Sequence, residues 1–122
     1  MTVEFSSAEE NSGLPGVIDI SPEEFKGRIA DVVLIDVRRH DEYVGELGHI
    51  PGARLITLDV LGDELGEFSK DTPMVFVCRS GGRSGRAASL AQAKGFKNVF
   101  NLKGGMMLWN EFQYEVTTEE MD

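Results

Sequence analysis

The sequence predicts an α/β fold built on a mostly parallel sheet. Two uninterrupted apolar runs, at residues 32–35 and 74–77, are typical of strands buried on both faces of a parallel sheet, and Val99-Phe100 marks a weaker third. Stretches of helical character separate these runs, and such alternation of strands and helices is typical of parallel sheets. With 122 residues, the chain has the size of one domain.

The first elements follow a polar segment at the start of the chain. Residues 1–16 are expected to form a flexible lead-in, and residues 17–20 predict a short strand. The next residues mark the start of a helix, because Ser21 suits the N-cap and Pro22 the first helical position. Glu24 would then complete a capping box with Ser21.

Five helices are predicted along the chain. In the first, Phe25 and Ile29 fall on one face. The fourth is expected to stop at Gly95, a residue type common just after helix ends. The second to fifth predicted helices cover residues 39–44, 58–68, 84–94 and 105–112. The predicted domain therefore spans residues 17–112, and an acidic tail over residues 113–122 follows it.

The net charge of −9 comes from the two ends of the chain. All 12 basic residues lie between Lys26 and Lys103, where 10 acidic residues nearly balance them, and the other 11 acidic residues lie outside this stretch. Acidic ends repel nucleic acids and anionic membranes, so neither is expected as a partner. An anionic substrate could still bind at a basic site within the central stretch.

The sequence shows no pattern for export or membrane insertion. No apolar run approaches the roughly 18 residues of a membrane span, and the start lacks the basic and apolar regions of a secretory signal. A cytoplasmic location is therefore the expectation. One compact acidic domain is also compatible with a monomer.

Cys78 is the one cysteine of the chain, so it can form no internal disulfide. With only His40 and His49 as further ligands of the usual kind, no zinc site is expected, and we expect no other cofactor. A lone cysteine is often just a small buried hydrophobe. The sequence around Cys78 argues against that interpretation.

A glycine-rich loop follows Cys78 at the end of a predicted strand, where ligand sites of open α/β sheets gather. Gly81 and Gly82 allow backbone N–H groups to point inward as an anion-binding nest. The helix that opens near Ser84 adds the partial positive charge of its N-terminus. We therefore expect the Cys78 thiol to be a thiolate at neutral pH.

The spacing within this loop distinguishes two chemistries. Cysteine-dependent phosphatases place five residues between their cysteine and arginine, which leaves room for a tetrahedral phosphate. Here only four residues separate Cys78 from Arg83. The shorter ring suits a single extra sulfur atom on Cys78, and Arg79, Arg83 and Arg86 supply positive charge nearby.

Further motifs occur on both sides of the Cys78 loop. In chain order, the motifs are Asp-Val-Arg at 36–38 with Glu-Tyr at 42–43, Gly-His-Ile-Pro-Gly-Ala at 48–53, Cys-Arg-Ser-Gly-Gly-Arg-Ser at 78–84, and Asn-Leu-Lys-Gly-Gly-Met at 101–106 with Trp109. Together they resemble those of the rhodanese family, with Cys78 in the place of the catalytic cysteine, and they occur in the family's order over nearly the whole chain.

The resemblance implies a rhodanese-like three-layer fold, with a five-stranded, mostly parallel sheet and helices on both faces. It also implies a thiosulfate sulfurtransferase that acts by double displacement. A Cys78 persulfide would carry a sulfane sulfur from a donor such as thiosulfate to cyanide, a thiol or a protein. The loop residues that would bind the anion are Arg79, Ser80, Gly81, Gly82, Arg83 and Ser84.

Roles for single side chains are proposed within the same resemblance. Arg79 is the candidate for docking the anionic donor, and Arg83 for holding the loop by an ion pair. Asp36, at the end of its strand, is the candidate partner of Arg83, and with Arg38 it would support the site. The Asp36→Ala variant is then expected to lose loop order.

Two other functions stay open. The first is a phosphatase or arsenate reductase of related fold, against which the loop length and the lack of a second cysteine argue. The second is a persulfide carrier or regulatory module that acts mainly through a partner protein and needs the same loop. The speed with which a small acceptor discharges the persulfide separates this carrier from an enzyme.

Overall fold

The computed structural model describes residues 3–120 and contains one six-stranded sheet with helices on both faces. The strands are β1 (Glu9–Glu10), β2 (Ile18–Ile20), β3 (Val33–Asp36), β4 (Arg54–Leu55), β5 (Met74–Val77) and β6 (Val99–Leu102). The helices are α1 (Pro22–Phe25), α2 (His40–Tyr43), α3 (Leu58–Glu64), α4 (Gly82–Ala93) and α5 (Gly105–Glu111), with 3-10 turns at Ile29–Asp31 and Leu65–Glu67. No helix within the described range is long and apolar enough to cross a membrane.

The strand order across the sheet is β1-β2-β6-β5-β3-β4. The five strands from β2 to β4 in this order pair in parallel, which confirms the predicted parallel sheet. β1 adds a sixth, antiparallel strand beside β2 at the edge. The strands predicted from continuous apolar runs lie in the middle, and every residue of β5 and β6 is buried.

Two apolar clusters form the core, one on each face of the sheet, because successive strand residues point to opposite sides. On one face, Leu34 and Val75 pack with Phe25 of α1 and Trp109 of α5. The cluster on the other face contains Ile35, Met74, Phe76 and Val99 from the strands, Leu61 of α3, and Ala87, Ala88 and Ala91 of α4. The result is the expected three-layer arrangement.

The first helix differs from its prediction in two respects. α1 ends at Phe25, and Ile29 lies in a separate 3-10 turn, although both side chains join the same cluster. Ser21 is the N-cap, and its hydroxyl accepts a hydrogen bond from the Glu24 backbone N–H at 3.3 Å. The Glu24 carboxylate, predicted to complete a capping box, instead accepts bonds from the start of the chain, where Ser6 and Ser7 offer more donors.

The beginning of the chain packs more closely than a flexible lead-in would. Phe5 is buried and meets Phe100 edge to face, with ring centroids 5.0 Å apart. The Glu24 carboxylate accepts the backbone N–H groups of Ser6 and Ser7 at 2.9 and 2.8 Å, and both serine hydroxyls as well. These bonds, the Ser7 hydroxyl first among them, lower the pKa of Glu24 from 4.5 to about 2. Residues 1–2 of the predicted lead-in lie outside the described range.

The segment after α5 also folds back onto the domain. Thr117 and His49 exchange two backbone hydrogen bonds, each of 2.9 Å. The indole N–H of Trp109 donates to the Glu115 carbonyl at 2.9 Å. The predicted acidic tail is therefore attached over its described part, and its last residues, 121–122, lie outside the described range.

The Glu24 carboxylate should control how firmly the start of the chain is attached. We expect Glu24→Ala to speed hydrogen exchange at the Ser6 and Ser7 amides by about tenfold, because the charged acceptor of both amides is lost. Hydrogen exchange followed by mass spectrometry or NMR measures this directly. The matched control is Glu23→Ala, which removes an exposed neighbouring carboxylate; equal acceleration in both variants would contradict the assignment.

Candidate functional site

The Cys78 side chain lies at the carboxyl end of β5 and is only 1% exposed. The backbone N–H of Gly81 donates to its Sγ at 3.1 Å, and the Ser84 hydroxyl oxygen lies 3.3 Å from the same sulfur. Gly81 has φ +108°, a left-handed conformation that favours glycine, and α4 begins at the next residue. The chain thus closes a tight ring around the sulfur, as the glycine-rich motif predicts.

The start of α5 fixes the first peptide groups of this ring. The backbone N–H groups of Met106 and Met107 donate to the Cys78 and Arg79 carbonyls at 2.8 and 2.9 Å. Gly105 lies so close that a Cβ on it would meet those carbonyl oxygens at 2.5 and 2.6 Å. A residue without a side chain is therefore required where α5 contacts the loop, which explains the second glycine of the Gly104-Gly105 pair.

Arg83 forms its ion pair with Glu42 of α2. Its two terminal nitrogens lie 2.8 and 2.9 Å from the two carboxylate oxygens, a bidentate geometry. The Arg83 hydrogen bonds are the main cause that lowers the pKa of Glu42 from 4.5 to about 2. The same contact raises the pKa of Arg83. This pair attaches the segment that follows Cys78 to α2.

The predicted pairing of Asp36 with Arg83 is wrong, because each side chain has another partner: Arg83 binds Glu42, and Asp36 binds Arg38. Asp36 is fully buried and binds Arg38 at 2.9 and 2.8 Å. Arg38 also donates to the Gly48 carbonyl at 2.7 Å. Removing one partner of such a buried pair typically costs about 3–5 kcal/mol, because it leaves an uncompensated charge.

Arg79 of the loop and Arg86 of α4 are exposed at the edges of cavities. Arg79 borders a cavity of about 240 Å³ that Glu42 and Leu47 also line, and its Nη1 lies 3.3 Å from the Met107 sulfur. Arg86 borders a second cavity of about 480 Å³ beside the loop residues 80–82. Both cations can therefore meet an anion that approaches the loop from solvent.

Asp19 and Asn101 form a buried polar pair near the sulfur that the sequence motifs do not mark as part of the site. The Ser84 hydroxyl contacts Asn101 Oδ1 at 2.5 Å, and Asn101 Nδ2 donates to Asp19 at 2.9 Å. In the sequence, Asn101 is recognisable only as part of the motif at 101–106. The available signal was its place inside an otherwise apolar strand, where a polar side chain requires a partner.

Taken together, the site offers one sulfur nucleophile and several hydrogen-bond donors and cations for an anion. Among the described residues, the Gly81 amide and the Ser84 hydroxyl contact Sγ directly. Within residues 3–120, no group of three or more histidine, cysteine or carboxylate side chains is arranged to bind a metal ion. The arrangement suits covalent chemistry on sulfur.

The family model described as the rhodanese-like domain matches residues 21–112. A protein named sulfurtransferase from Allochromatium vinosum is 34% identical over 96 residues, which are 76% of this chain and 88% of that protein. A thiosulfate sulfurtransferase named GlpE, from Pseudomonas entomophila, is 34% identical over 91 residues, which are 74% of this chain and 82% of that protein.

The solved structures similar to this one include a rhodanese-related protein from Thermoplasma volcanium. Its crystal structure superposes with a TM-score of 0.75 at 25% identity, and the match covers 83% of this chain and 98% of that one. The likeness therefore extends over most of this chain. The relatives' names point to sulfur transfer in general.

The Glu42–Arg83 ion pair should stabilise the protein only while Glu42 is ionised. Because the pKa of Glu42 is about 2 when folded and near 4.5 when unfolded, its contribution is complete above pH 4.5 and is lost as the pH falls toward 2. The difference in melting temperature between the wild type and Glu42→Gln should therefore be constant above about pH 5 and shrink steadily below it.

The control for this prediction is the same comparison in an Arg83→Met background. Most of the pH dependence should disappear there, since Arg83 is the main cause of the lowered pKa. A melting-temperature difference that persists unchanged down to pH 2, or that is equal in both backgrounds, would show that the pair does not act through charge.

Proposed function

Because the chain belongs to the rhodanese-like domain family, we propose that it transfers a sulfane sulfur through a persulfide on Cys78. The observation that carries the proposal is the position of Sγ, which lies at a strand end inside a ring whose Gly81 amide points at it from 3.1 Å. A persulfide formed there would place its terminal sulfur among hydrogen-bond donors. A tetrahedral phosphate would require a longer loop.

In the first half of the proposed reaction, the Cys78 thiolate attacks the outer sulfur of thiosulfate. A sulfur–sulfur bond forms to Sγ while the bond between the outer sulfur and the sulfite group breaks, and sulfite leaves with that electron pair. Sulfite is a stable anion, so the step needs no strong general acid. This fits a site in which the described contacts of Sγ are an amide and a hydroxyl.

In the second half, a thiophilic acceptor attacks the terminal sulfur of the persulfide. Cyanide would leave as thiocyanate, and a thiol or a protein thiol would leave as a persulfide. In each case the bond between Cys78 Sγ and the terminal sulfur breaks, its electron pair stays on Sγ, and the Cys78 thiolate is restored. The reaction is a double displacement with a covalent intermediate.

The surrounding side chains have separate roles in this proposal. Arg79, exposed at a cavity beside the loop, docks the anionic donor. Arg83 is already bound to Glu42, so it holds the loop and is less available to substrate. Asp36 and Arg38 stabilise the adjoining turn through Gly48. The donor class rests on the relative named thiosulfate sulfurtransferase.

The sharpest test is the intact mass of the protein after incubation with thiosulfate. We expect a gain of one sulfur atom in the wild type, removal of that atom by cyanide, and no gain in Cys78→Ser. The serine variant is the matched control because it changes only the sulfur. A wild type that gains no mass with thiosulfate, or a Cys78→Ser variant that gains the same mass, would contradict the proposal.

The rate of discharge distinguishes the proposed enzyme from a persulfide carrier. An enzyme should lose the added sulfur quickly to cyanide or to a small thiol, whereas a carrier should keep it until a partner protein removes it. In the same preparation, hydrolysis of an aryl phosphate by the wild type but not by Cys78→Ser would favour a phosphatase and contradict sulfur transfer.

A further inference from the structure

A row of buried polar side chains leads across the sheet to the reactive sulfur. Asp19 of β2 and Asn101 of β6 are partners in the strand register, and they are 7% and 2% exposed. Ser84, at 0% exposed, lies between Asn101 and Cys78. Buried polar groups are costly unless each one is satisfied, so the direction of every hydrogen bond in this row can be deduced.

The Asp19 carboxylate sets the direction of the hydrogen bonds in this row, because it can only accept them. Asn101 must therefore present its Nδ2 to Asp19, at 2.9 Å, and its Oδ1 to the other side. Asn11 also donates to both Asp19 oxygens, at 3.0 and 3.2 Å. With Asn101 oriented in this way, the group that faces the Ser84 hydroxyl at 2.5 Å is an acceptor.

The Ser84 hydroxyl has one proton and two neighbours that can accept it. Asn101 Oδ1 lies 2.5 Å away, and Cys78 Sγ lies 3.3 Å away. While Cys78 is a thiol, the Ser84 hydroxyl donates its proton to Asn101 Oδ1, the nearer acceptor. The Ser84 oxygen then presents a lone pair to the sulfur. When the sulfur becomes an anion, rotation about the Cβ–Oγ bond can turn the proton toward it without moving a heavier atom.

We propose that Asn101, oriented by Asp19, is a positioning residue that competes with the Cys78 sulfur for the single proton of the Ser84 hydroxyl. In this way it limits how strongly Ser84 stabilises the sulfur anion. The inference rests on the proposed function only for the role of Cys78 as the reacting group. It concerns the thiol itself, so it can be tested without any sulfur donor.

Charged groups on several elements also act on the sulfur and must be kept constant in the test. Arg83 interacts electrostatically with Cys78. The charged residues on the surrounding elements are Arg79 and Arg86 on the loop and α4, Asp36 and Arg38 at the end of β3, Glu42 on α2, Asp19 on β2 and Lys103 after β6. The variants chosen below leave all of them unchanged except Asp19, which is altered in one.

The experiment measures the rate of Cys78 alkylation by iodoacetamide as a function of pH. We expect Asn101→Ala to lower the midpoint of this profile by about one pH unit, because Ser84 is then free to donate to the thiolate. In a Ser84→Ala background, the Asn101→Ala change should leave the midpoint where Ser84→Ala alone puts it. Such dependence of one substitution on the other is the signature of a shared proton.

Two further variants guard against a general structural effect. Asp19→Asn keeps the shape of the side chain but no longer forces Asn101 to present Nδ2 to residue 19. It should therefore also lower the midpoint of the alkylation profile. This variant provides the test if Asn101→Ala does not fold. Asn110→Ala removes another amide, one that donates to the Leu47 and Met106 carbonyls, and should leave the midpoint unchanged.

The proposal is overturned if folded Asn101→Ala or Asp19→Asn protein shows an unchanged or raised midpoint. An equal lowering with and without the Ser84 hydroxyl also overturns it, since the effect would then come from the field of Asp19 or from loosened packing. Alkylation reports on the thiol whether or not it accepts sulfur. If the midpoints shift as expected but the protein gains no sulfur from thiosulfate, the result counts against the proposed function and not against this inference.

Discussion

The hydrogen bond from the Gly81 amide to the Cys78 sulfur is the interaction on which the site depends. A buried strand must end, reverse and become a helix within four residues to form it, and the left-handed conformation of Gly81 makes that reversal possible. The sulfur is consequently enclosed by the backbone of its own loop. For the proposed sulfur transfer, this enclosure is what would hold a terminal sulfur among donors and away from bulk water.

The ring is held by contacts from several elements of the fold. α5 binds the first two loop carbonyls through its own backbone, and α2 binds Arg83 through the Glu42 carboxylate. The buried Asp36–Arg38 pair fixes the neighbouring turn at Gly48. The loop is therefore held by backbone and side-chain groups of the chain itself. Arg83 is thus held in an ion pair, whereas Arg79 and Arg86 are exposed and border cavities beside the loop.

The sequence predicts well the features that depend on neighbours along the chain. The apolar run of β5, the glycine-rich loop after Cys78 and the helix that follows it are local patterns, and the structure contains them with small changes of boundary. The partner of Arg83 was mispredicted because Arg38 occupies the Asp36 carboxylate, and Glu42 of α2 binds Arg83. Both pairings depend on how α2, α4 and the end of β3 pack together, which a local motif does not reveal.

The attachment of the two ends could not be predicted for a related reason. β1 consists of two exposed glutamates, so no apolar pattern marks it, and the bonds from Ser6 and Ser7 to Glu24 join residues 17 and 18 positions apart. The row from Asp19 through Asn101 to Ser84 likewise joins three separate elements. Its signal in the sequence is only that polar residues interrupt strands that are otherwise buried.

A crystal structure of the protein after exposure to thiosulfate would show directly whether Cys78 carries a persulfide inside its loop. We expect one additional atom with the anomalous signal of sulfur, bonded covalently to Cys78 Sγ and within hydrogen-bonding distance of the loop amides that include Gly81. An unmodified Cys78 with an intact tetrahedral anion held in the loop, or an added sulfur directed away from those amides, would contradict this expectation.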